Sequence, residues 1–252
     1  MIPPGELPLE VWLTFWRWTR WYHSYTVDGL EHVLTGTPML ITGYHGRPAA
    51  YDMCILTVEI YERLGYLPHG MLNASVDNFP ALKWLCDAIG YFTNDTTDAK
   101  KIVAALRRGE HLIITPGAAF EGSRSHLDRY RVRWGGHMGY LRLALKYKLP
   151  IVPVGAAGVD DAYIGLNDGT ALAKRLGLPR GLAVWFGLGP FGIFPFSLPF
   201  PVKMHQIIGK PIDLPRVDPQ DPRQLLPLHA MVIAKVQALI DLARRRVRAG
   251  KV

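Results

Sequence analysis

A histidine followed at a short distance by an aspartate is the first feature of this chain that could do chemistry. His45 and Asp52 bound the stretch His-Gly-Arg-Pro-Ala-Ala-Tyr-Asp. An imidazole that titrates near neutral pH can take the proton from an alcohol as the alcohol attacks a thioester, provided that a second group holds the correct tautomer. We therefore expect His45 to be a general base and Asp52 to orient it.

A second stretch, Glu121-Gly-Ser-Arg-Ser125, places a glycine among acidic, hydroxyl and basic side chains. Backbone N–H groups and a guanidinium fork together suit a phosphate or a developing oxyanion. We expect Arg124 to contact a phosphate or a coenzyme, and backbone donors near Gly117 or Gly122 to stabilise an oxyanion. The remaining residues expected to bind substrate are Tyr44, Gly46, Arg47, Glu121 and Ser123.

The composition is that of one large domain with a substantial core and a basic surface. The 252 residues include 29 Lys and Arg against 21 Asp and Glu, a net charge of +8. That charge suits anionic partners such as phospholipid head groups, nucleic acid or coenzyme phosphates. Cys54 and Cys86 are the only cysteines, too few and too poorly spaced for a metal site, so we expect a reducing compartment and no metal.

Several other catalytic motifs can be excluded. The sequence has no histidine pair with metalloprotease spacing and no Gly-x-Ser-x-Gly element of an α/β hydrolase. Gly187, Gly189 and Gly192 match the glycine pattern of a dinucleotide-binding loop. That loop needs a helix after its last glycine, and the proline-containing residues 193–199 cannot begin one. We therefore expect no nucleotide or redox cofactor.

Predicted strands alternate with predicted helices along most of the chain. The expected strands are residues 25–30, 39–43, 69–73, 111–115, 150–155 and 182–188. The expected helices are residues 49–64, 79–88, 98–107, 136–148 and 222–252. This order favours an α/β fold with a largely parallel central sheet flanked by helices. Active residues gather at strand ends in such sheets, so His45 and the Glu121 loop should share one edge.

The first 25 residues form a segment that we separate from the acyl-transfer domain expected over residues 26–252. This segment is rich in Trp and Tyr interspersed with Arg, which is typical of a helix at a bilayer interface. A helix whose aromatic face covers the core explains the same pattern equally well. Residues 190–201 carry no charge and several prolines, which predicts an apolar loop that packs on the core or enters lipid.

With these motifs in view, the chain resembles the glycerolipid (lysophospholipid) acyltransferase family. Within it, the chain is similar to the branch of transmembrane protein 68 and the diacylglycerol acyltransferases. The likeness runs over residues 27–214. Five motifs carry it in the family's order: Tyr44-His45-Gly46 with Asp52, Ile114-Thr-Pro-Gly117, Phe120-Glu-Gly-Ser-Arg-Ser125, Pro150-Ile-Val-Pro-Val154 and Ile208-Gly-Lys-Pro-Ile212.

The resemblance implies transfer of a fatty acyl group from acyl-CoA, or an acyl carrier protein, to a glycerolipid hydroxyl such as that of a lysophospholipid. His45 would be the base, Asp52 its partner, and Glu121, Gly122 and Arg124 would bind the acceptor phosphate or shape the loop. No cofactor beyond the acyl donor and no nucleic acid is implied. The expected location is the cytoplasmic face of a membrane, with peripheral or monotopic attachment.

Two departures from the family pattern keep other functions open. Six residues separate His45 from Asp52 where the family has four, so Ala50 holds the usual aspartate position and Pro48 must allow a different turn. The second family block is matched only loosely by residues 90–94, which contain no arginine. The alternatives are acyl transfer to a neutral acceptor, either diacylglycerol or a long-chain alcohol, and a non-catalytic lipid-binding protein of the same fold.

Overall fold

The computed structural model describes residues 7–72, 80–93, 99–178 and 182–252. Its helices are α1 (Leu7–Tyr22), α2 (Tyr51–Leu64), α3 (Pro80–Ala88), α4 (Ala99–Arg107), α5 (Ala118–Gly122), α6 (Gly139–Tyr147), α7 (Gly169–Arg175) and α8 (Pro222–Arg248). Its strands are β1 (Thr26–Asp28), β2 (Leu40–Gly43), β3 (His69–Leu72), β4 (Phe92–Thr93), β5 (Leu112–Ile114), β6 (Ile151–Ala157), β7 (Ile164–Gly165), β8 (Gly187–Gly189), β9 (Gly192–Ile193) and β10 (His205–Ile208).

Seven strands form a central sheet in the order β1-β10-β6-β2-β5-β3-β4. All neighbouring pairs are parallel except β10 with β6, which is antiparallel. Strand β2 lies in the middle, where Ile41 is opposite Ile113 on β5 and Val152 on β6. All three side chains are buried. The predicted α/β fold with a largely parallel sheet is therefore confirmed.

The sheet places the two predicted motifs at one edge because β2 and β5 run in the same direction. Strand β2 ends at Gly43, two residues before His45, and β5 ends at Ile114, a few residues before the Glu121 segment. Carboxyl ends of parallel strands share an edge of the sheet. The short helix α5 then returns the chain toward His45.

The predicted elements lie close to their expected positions, with one error. Predicted residues 73, 79, 94 and 98 lie outside the described part of the chain. The strand expected at 182–188 is wrong, because only Gly187–Gly189 is a strand and it pairs with β7 and β9 in a separate three-stranded sheet. Hydrogen bonds to residues 166–169 explain the difference, and two of them come from Asn167. Its side chain donates to the Val184 carbonyl at 2.7 Å and accepts from the Phe186 N–H at 2.8 Å, occupying groups that a neighbouring strand would pair.

Helix α1 has two apolar faces. Trp12 and Trp16 are buried against the core, and the Trp12 indole donates to Thr57 Oγ on α2 at 3.0 Å. The opposite face leaves Phe15 and Trp18 about half exposed. The helix therefore covers the core, as one interpretation of the sequence had it, and also presents an apolar stripe to the outside.

Helix α8 packs along β6 and β10. Within the described ranges it is the helix whose length and composition would suffice to cross a membrane. Leu225, Val232, Val236 and Ile240 from one side of it are fully buried in the main core. This packing is that of a long amphipathic helix against a sheet.

Candidate active site

An apolar pocket of about 560 Å³ opens beside the carboxyl ends of β2 and β5. Its walls come from α1, the start of α2, β3, the α5 segment and residues 183–194. His45 lies in one wall, while Trp12 and Trp16 lie in the wall formed by α1. No Lys or Arg is among the described residues that line it. The pocket therefore suits hydrocarbon, with an imidazole as its basic group.

The imidazole of His45 is held by its own loop. Its Nδ1 lies 3.2 Å from the Gly46 carbonyl oxygen, which favours the tautomer with hydrogen on Nδ1 and a free lone pair on Nε2. Burial, with the nearby Arg124 guanidinium, lowers the pKa of His45 to about 4. At neutral pH the ring is therefore uncharged and able to accept a proton.

Asp52 lies in the first turn of α2, fully buried. The six residues between His45 and Asp52 are accommodated by a turn in which the Ala50 N–H donates to the Gly46 carbonyl at 2.8 Å. Helix α2 then begins at Tyr51. This turn brings Asp52 Oδ1 against Gly46, where an added Cβ would lie 2.7 Å from it.

Neither carboxylate oxygen of Asp52 has a hydrogen-bond partner among the described residues, so the expected His45–Asp52 hydrogen bond is absent here. Burial raises the pKa of Asp52 to about 7. A buried carboxylate without a donor is unfavourable when ionised, and it would be stabilised by a cation forming nearby. The catalytic pairing of these two residues stays a prediction.

Glu121 fixes the backbone around His45. Its Oε2 accepts the His45 N–H at 2.8 Å and the Trp134 indole N–H at 3.1 Å, and its Oε1 accepts the Arg133 N–H at 2.7 Å. Burial raises the pKa of Glu121 to about 7, although Arg124 and these donors oppose the rise. The side chain is fully buried, so its contacts are those of a loop-shaping group.

Arg124 and Arg47 are both fully buried and face Asp160. Arg124 makes a two-pronged ion pair with it, Nη2 to Oδ1 at 2.5 Å and Nε to Oδ2 at 3.1 Å. Arg47 Nε lies 3.4 Å from Asp160 Oδ1. Burial alone would raise the pKa of Asp160, but the two guanidinium groups lower it below the usual range. Neither arginine lines the pocket, so their expected contact with a substrate phosphate stays a prediction.

Gly122 is the glycine that comes nearest to the imidazole. A Cβ added there would lie 2.4 Å from His45 Nδ1, so only a hydrogen atom fits between the α5 backbone and the ring. Gly122 and Ser123 line the pocket. Gly117, Tyr44 and Gly46 lie behind this wall: a Cβ on Gly117 would meet Glu121 at 2.4 Å, and Tyr44 is fully buried.

Asp160 is the site residue that the sequence interpretation missed. It follows the buried strand β6 at the same sheet edge as His45, and an acidic pair directly after a buried strand was the available signal. Its carboxylate also accepts the Tyr130 N–H at 2.6 Å and the Tyr44 hydroxyl. In the described ranges no three His, Cys, Asp or Glu side chains are grouped so that they could hold a metal ion.

Comparison with curated proteins gives relatives that match most of this chain. The "DGAT1/2-independent enzyme synthesizing storage lipids" of Gallus gallus is 28% identical over 225 residues, 88% of this chain and 60% of that protein. The Homo sapiens protein of that name is 28% identical over 229 residues, 89% of this chain and 63% of that protein. An uncharacterized Mycobacterium tuberculosis protein is 29% identical over 229 residues, 87% of this chain and 62% of that protein. The chain thus spans less than two thirds of these relatives.

The fold has a counterpart among solved structures. The 1-acyl-sn-glycerophosphate acyltransferase PlsC from Thermotoga maritima superimposes with a TM-score of 0.55 and 15% sequence identity, over 97% of this chain and 84% of that chain. The family described as Acyltransferase matches residues 24–157, which contain His45, Asp52 and the Glu121 segment. Because this match covers more than half of the 252 residues, the chain belongs to the acyltransferase family.

Proposed function

We propose that this acyltransferase moves a fatty acyl group from acyl-CoA, or from an acyl carrier protein, to the hydroxyl of a glycerolipid. The observation that supports this most directly is the position of His45, an uncharged imidazole in the wall of an apolar pocket of about 560 Å³. The pocket surface would hold the acyl chain, and the imidazole would meet the reacting groups at its edge.

The reaction needs one base, and His45 has the geometry for it. Nδ1–H is directed to the Gly46 carbonyl, so Nε2 is the atom that would take the proton from the acceptor hydroxyl. The hydroxyl oxygen would form a C–O bond at the thioester carbonyl, the C–S bond would break, and the proton would pass from Nε2 to the departing thiolate. Backbone N–H groups near Gly122 are the proposed donors to the oxyanion.

Asp52 would act on the imidazolium. Because the pKa of His45 is lowered to about 4, the positive charge formed on proton transfer needs a compensating anion. Asp52 is buried, lacks a donor, and packs on the residue next to His45. A change of rotamer that brings the carboxylate to Nδ1 would satisfy both groups.

The acceptor favoured by the pocket is neutral, such as monoacylglycerol, diacylglycerol or a long-chain alcohol. A phosphate-bearing acceptor needs a cation, and no described pocket-lining residue is Lys or Arg. Arg124 and Arg47 are turned toward Asp160. The relatives whose name refers to storage lipids support the same choice.

Two exposed apolar surfaces near the pocket support attachment to a membrane, which we propose to be at its cytoplasmic face. One is the outer stripe of α1 with Phe15 and Trp18; the other is the β8–β9 hairpin and its extension, where Phe191 is 79% and Phe196 is 92% exposed. The Tyr22 hydroxyl donates to the Pro199 carbonyl at 2.8 Å and so joins the two surfaces. Substrate could then enter the pocket from lipid.

Turnover of labelled acyl-CoA with lysophosphatidic acid, monoacylglycerol and diacylglycerol tests this function, with products identified by mass. We expect a neutral acceptor to be acylated, and His45→Ala to lose about 10² to 10⁴ in rate while remaining folded. His32→Ala is the matched control, because the His32 ring bonds the Ile208 carbonyl at 3.0 Å and neither residue lines the pocket. Unchanged turnover in His45→Ala would contradict the mechanism.

A second candidate is a lipid-binding protein without catalysis, favoured by the absent His45–Asp52 hydrogen bond. It predicts that the protein binds a fluorescent fatty acid in the pocket but forms no acylated product with any acceptor. Under that candidate, His45→Ala would change neither measurement.

A further inference from the structure

Asp160 is the most heavily engaged side chain near His45, yet it does not touch the pocket. Its carboxylate is fully buried and is contacted by Arg124, Arg47, the Tyr44 hydroxyl and the Tyr130 N–H. A charged side chain buried to this degree is retained only when its partners compensate for the loss of water.

Three of the four partners of Asp160 belong to the His45 loop or bond its backbone. Tyr44 is the residue before His45, and Arg47 is two residues after it. Arg124, held by two contacts to Asp160, uses its remaining Nη1 to donate to the His45 carbonyl at 2.9 Å. The Asp160 carboxylate is thus connected to this loop at the residue before His45, at His45 itself and two residues after it.

We infer that Asp160 is a positioning residue for acyl transfer: by holding Tyr44, Arg47 and Arg124 in one cluster, it keeps the His45 imidazole directed into the pocket. This inference rests on the proposed function of His45. Asp160 follows β6, and β6 pairs directly with β2, the strand that leads to His45. Asp160 therefore fixes the position of the imidazole relative to the central sheet.

The same cluster also determines the electrostatic environment of the His45 imidazole. The charged or titratable groups of the cluster and of the residues beside His45 are Arg124, Arg47, Glu121, Asp52, Asp160, Tyr44, Tyr130 and His126. Without the Asp160 charge, Arg124 and Arg47 would be buried with fewer anions beside them, and an imidazolium at His45 would be less stable. Asp160 therefore supports both the orientation of the base and its ability to hold a proton.

The experiment compares Asp160→Asn with Asp161→Asn. The first change keeps the shape and removes the buried charge. The second removes the charge of a half-exposed neighbour that pairs with Arg129 and accepts from the Tyr130 hydroxyl at 2.7 Å, a bond that an asparagine oxygen can still accept. We expect Asp160→Asn to lower kcat at least about 10²-fold with KM within about threefold, since misplacing a catalytic group has effects of that size. Asp161→Asn should stay within about threefold of the parent in both constants, because the Tyr130 hydroxyl keeps an acceptor and an exposed ion pair contributes little.

Two measurements separate positioning from a general effect on folding. Nitrogen NMR of the His45 ring should show a mixed tautomer and a titration at lower pH in Asp160→Asn, at a temperature where circular dichroism shows the variant folded. If kcat per folded molecule and the His45 spectrum are both unchanged, the inference is wrong.

A milder variant covers the case in which Asp160→Asn does not fold. Tyr44→Phe leaves every charge in place and removes the hydroxyl that donates to Asp160 and accepts from the Tyr130 N–H at 2.9 Å; that N–H keeps Asp160 as an acceptor. We expect kcat to fall about tenfold, the loss of one buried hydrogen bond of about 1.4 kcal/mol; an unchanged kcat would overturn the inference. If His45→Ala is inactive while Asp160→Asn and Tyr44→Phe are normal, only the positioning inference fails. If His45→Ala is fully active, the proposed function fails first.

Discussion

Replacing Asp52 with asparagine should make the protein more stable at alkaline pH and less active. The pKa of Asp52 rises from 3.8 to about 7 in the folded protein. A carboxyl with a raised pKa keeps its proton longer when folded than when unfolded. Stability therefore falls as the pH rises from about 4 to about 7, and the loss is complete above the folded pKa.

The size of the effect follows from the two pKa values. Each pKa unit corresponds to about 1.4 kcal/mol, so the ionisation of Asp52 reduces the unfolding free energy by about 4 kcal/mol at pH 8 and by about 2 kcal/mol at pH 5. The asparagine side chain of Asp52→Asn does not titrate, so its contribution to stability does not change with pH. Relative to the parent, the variant should gain about 2 kcal/mol between pH 5 and pH 8.

Urea unfolding of both proteins at pH 5, 6, 7 and 8 measures this gain. Glu121 and His45 titrate in both proteins, so the difference between variant and parent isolates Asp52. Asp213→Asn, on the exposed surface, is the control and should shift stability by less than about 0.5 kcal/mol. A variant that tracks the parent at every pH would show that Asp52 is hydrated or paired, and the reasoning would be refuted. Turnover of Asp52→Asn should fall about 10²-fold or more.

Two further predictions concern the pocket wall and the outer surface. Gly122→Ala should reduce kcat about 10²-fold, because its Cβ would lie 2.4 Å from His45 Nδ1 and displace the ring. The control is Gly136→Ala, which should have no effect in the same assay because nothing lies within 4 Å of the added Cβ. The double change Phe191→Asp and Phe196→Asp should weaken binding to anionic vesicles at least about tenfold in a flotation assay, since burying one phenylalanine is worth about 1.5–3 kcal/mol. Vesicle binding equal to that of Leu226→Asp on α8 would argue against the hairpin as the contact.

Much of the fold was predictable because local patterns determine it. The apolar run before His45 indicated a buried strand, and the periodic apolar residues from Met53 onward indicated helix α2; both are present. The edge shared by His45 and Glu121 followed from the parallel direction of their strands. Residues 182–186 were misassigned because their backbone hydrogen bonds go to the Asn167 side chain and to the backbone of Leu166 and Gly169, which the local pattern does not indicate.

The arrangement within the site was less predictable, since it depends on pairs far apart in sequence. Arg124 meets Asp160 from 36 residues away, and Arg47 meets it from 113 residues away. The sequence indicates that Arg124 and Arg47 could bind an anion. It does not indicate that the anion they bind is the buried carboxylate of Asp160. The same holds for Asp52, whose turn brings it beside Gly46 without a bond to the imidazole.

Helix α1 links the outside of the protein to the interior of the pocket. Trp12 and Trp16 form part of the pocket wall, while Phe15 and Trp18 on the opposite side face outward. Insertion of Phe15 and Trp18 into the hydrocarbon of a bilayer would exert a force on α1, and α1 also forms one wall of the pocket. Catalysis would then respond to the physical state of the lipid, faster on aggregated than on dispersed substrate, with Trp12 and its bond to Thr57 resisting the opening.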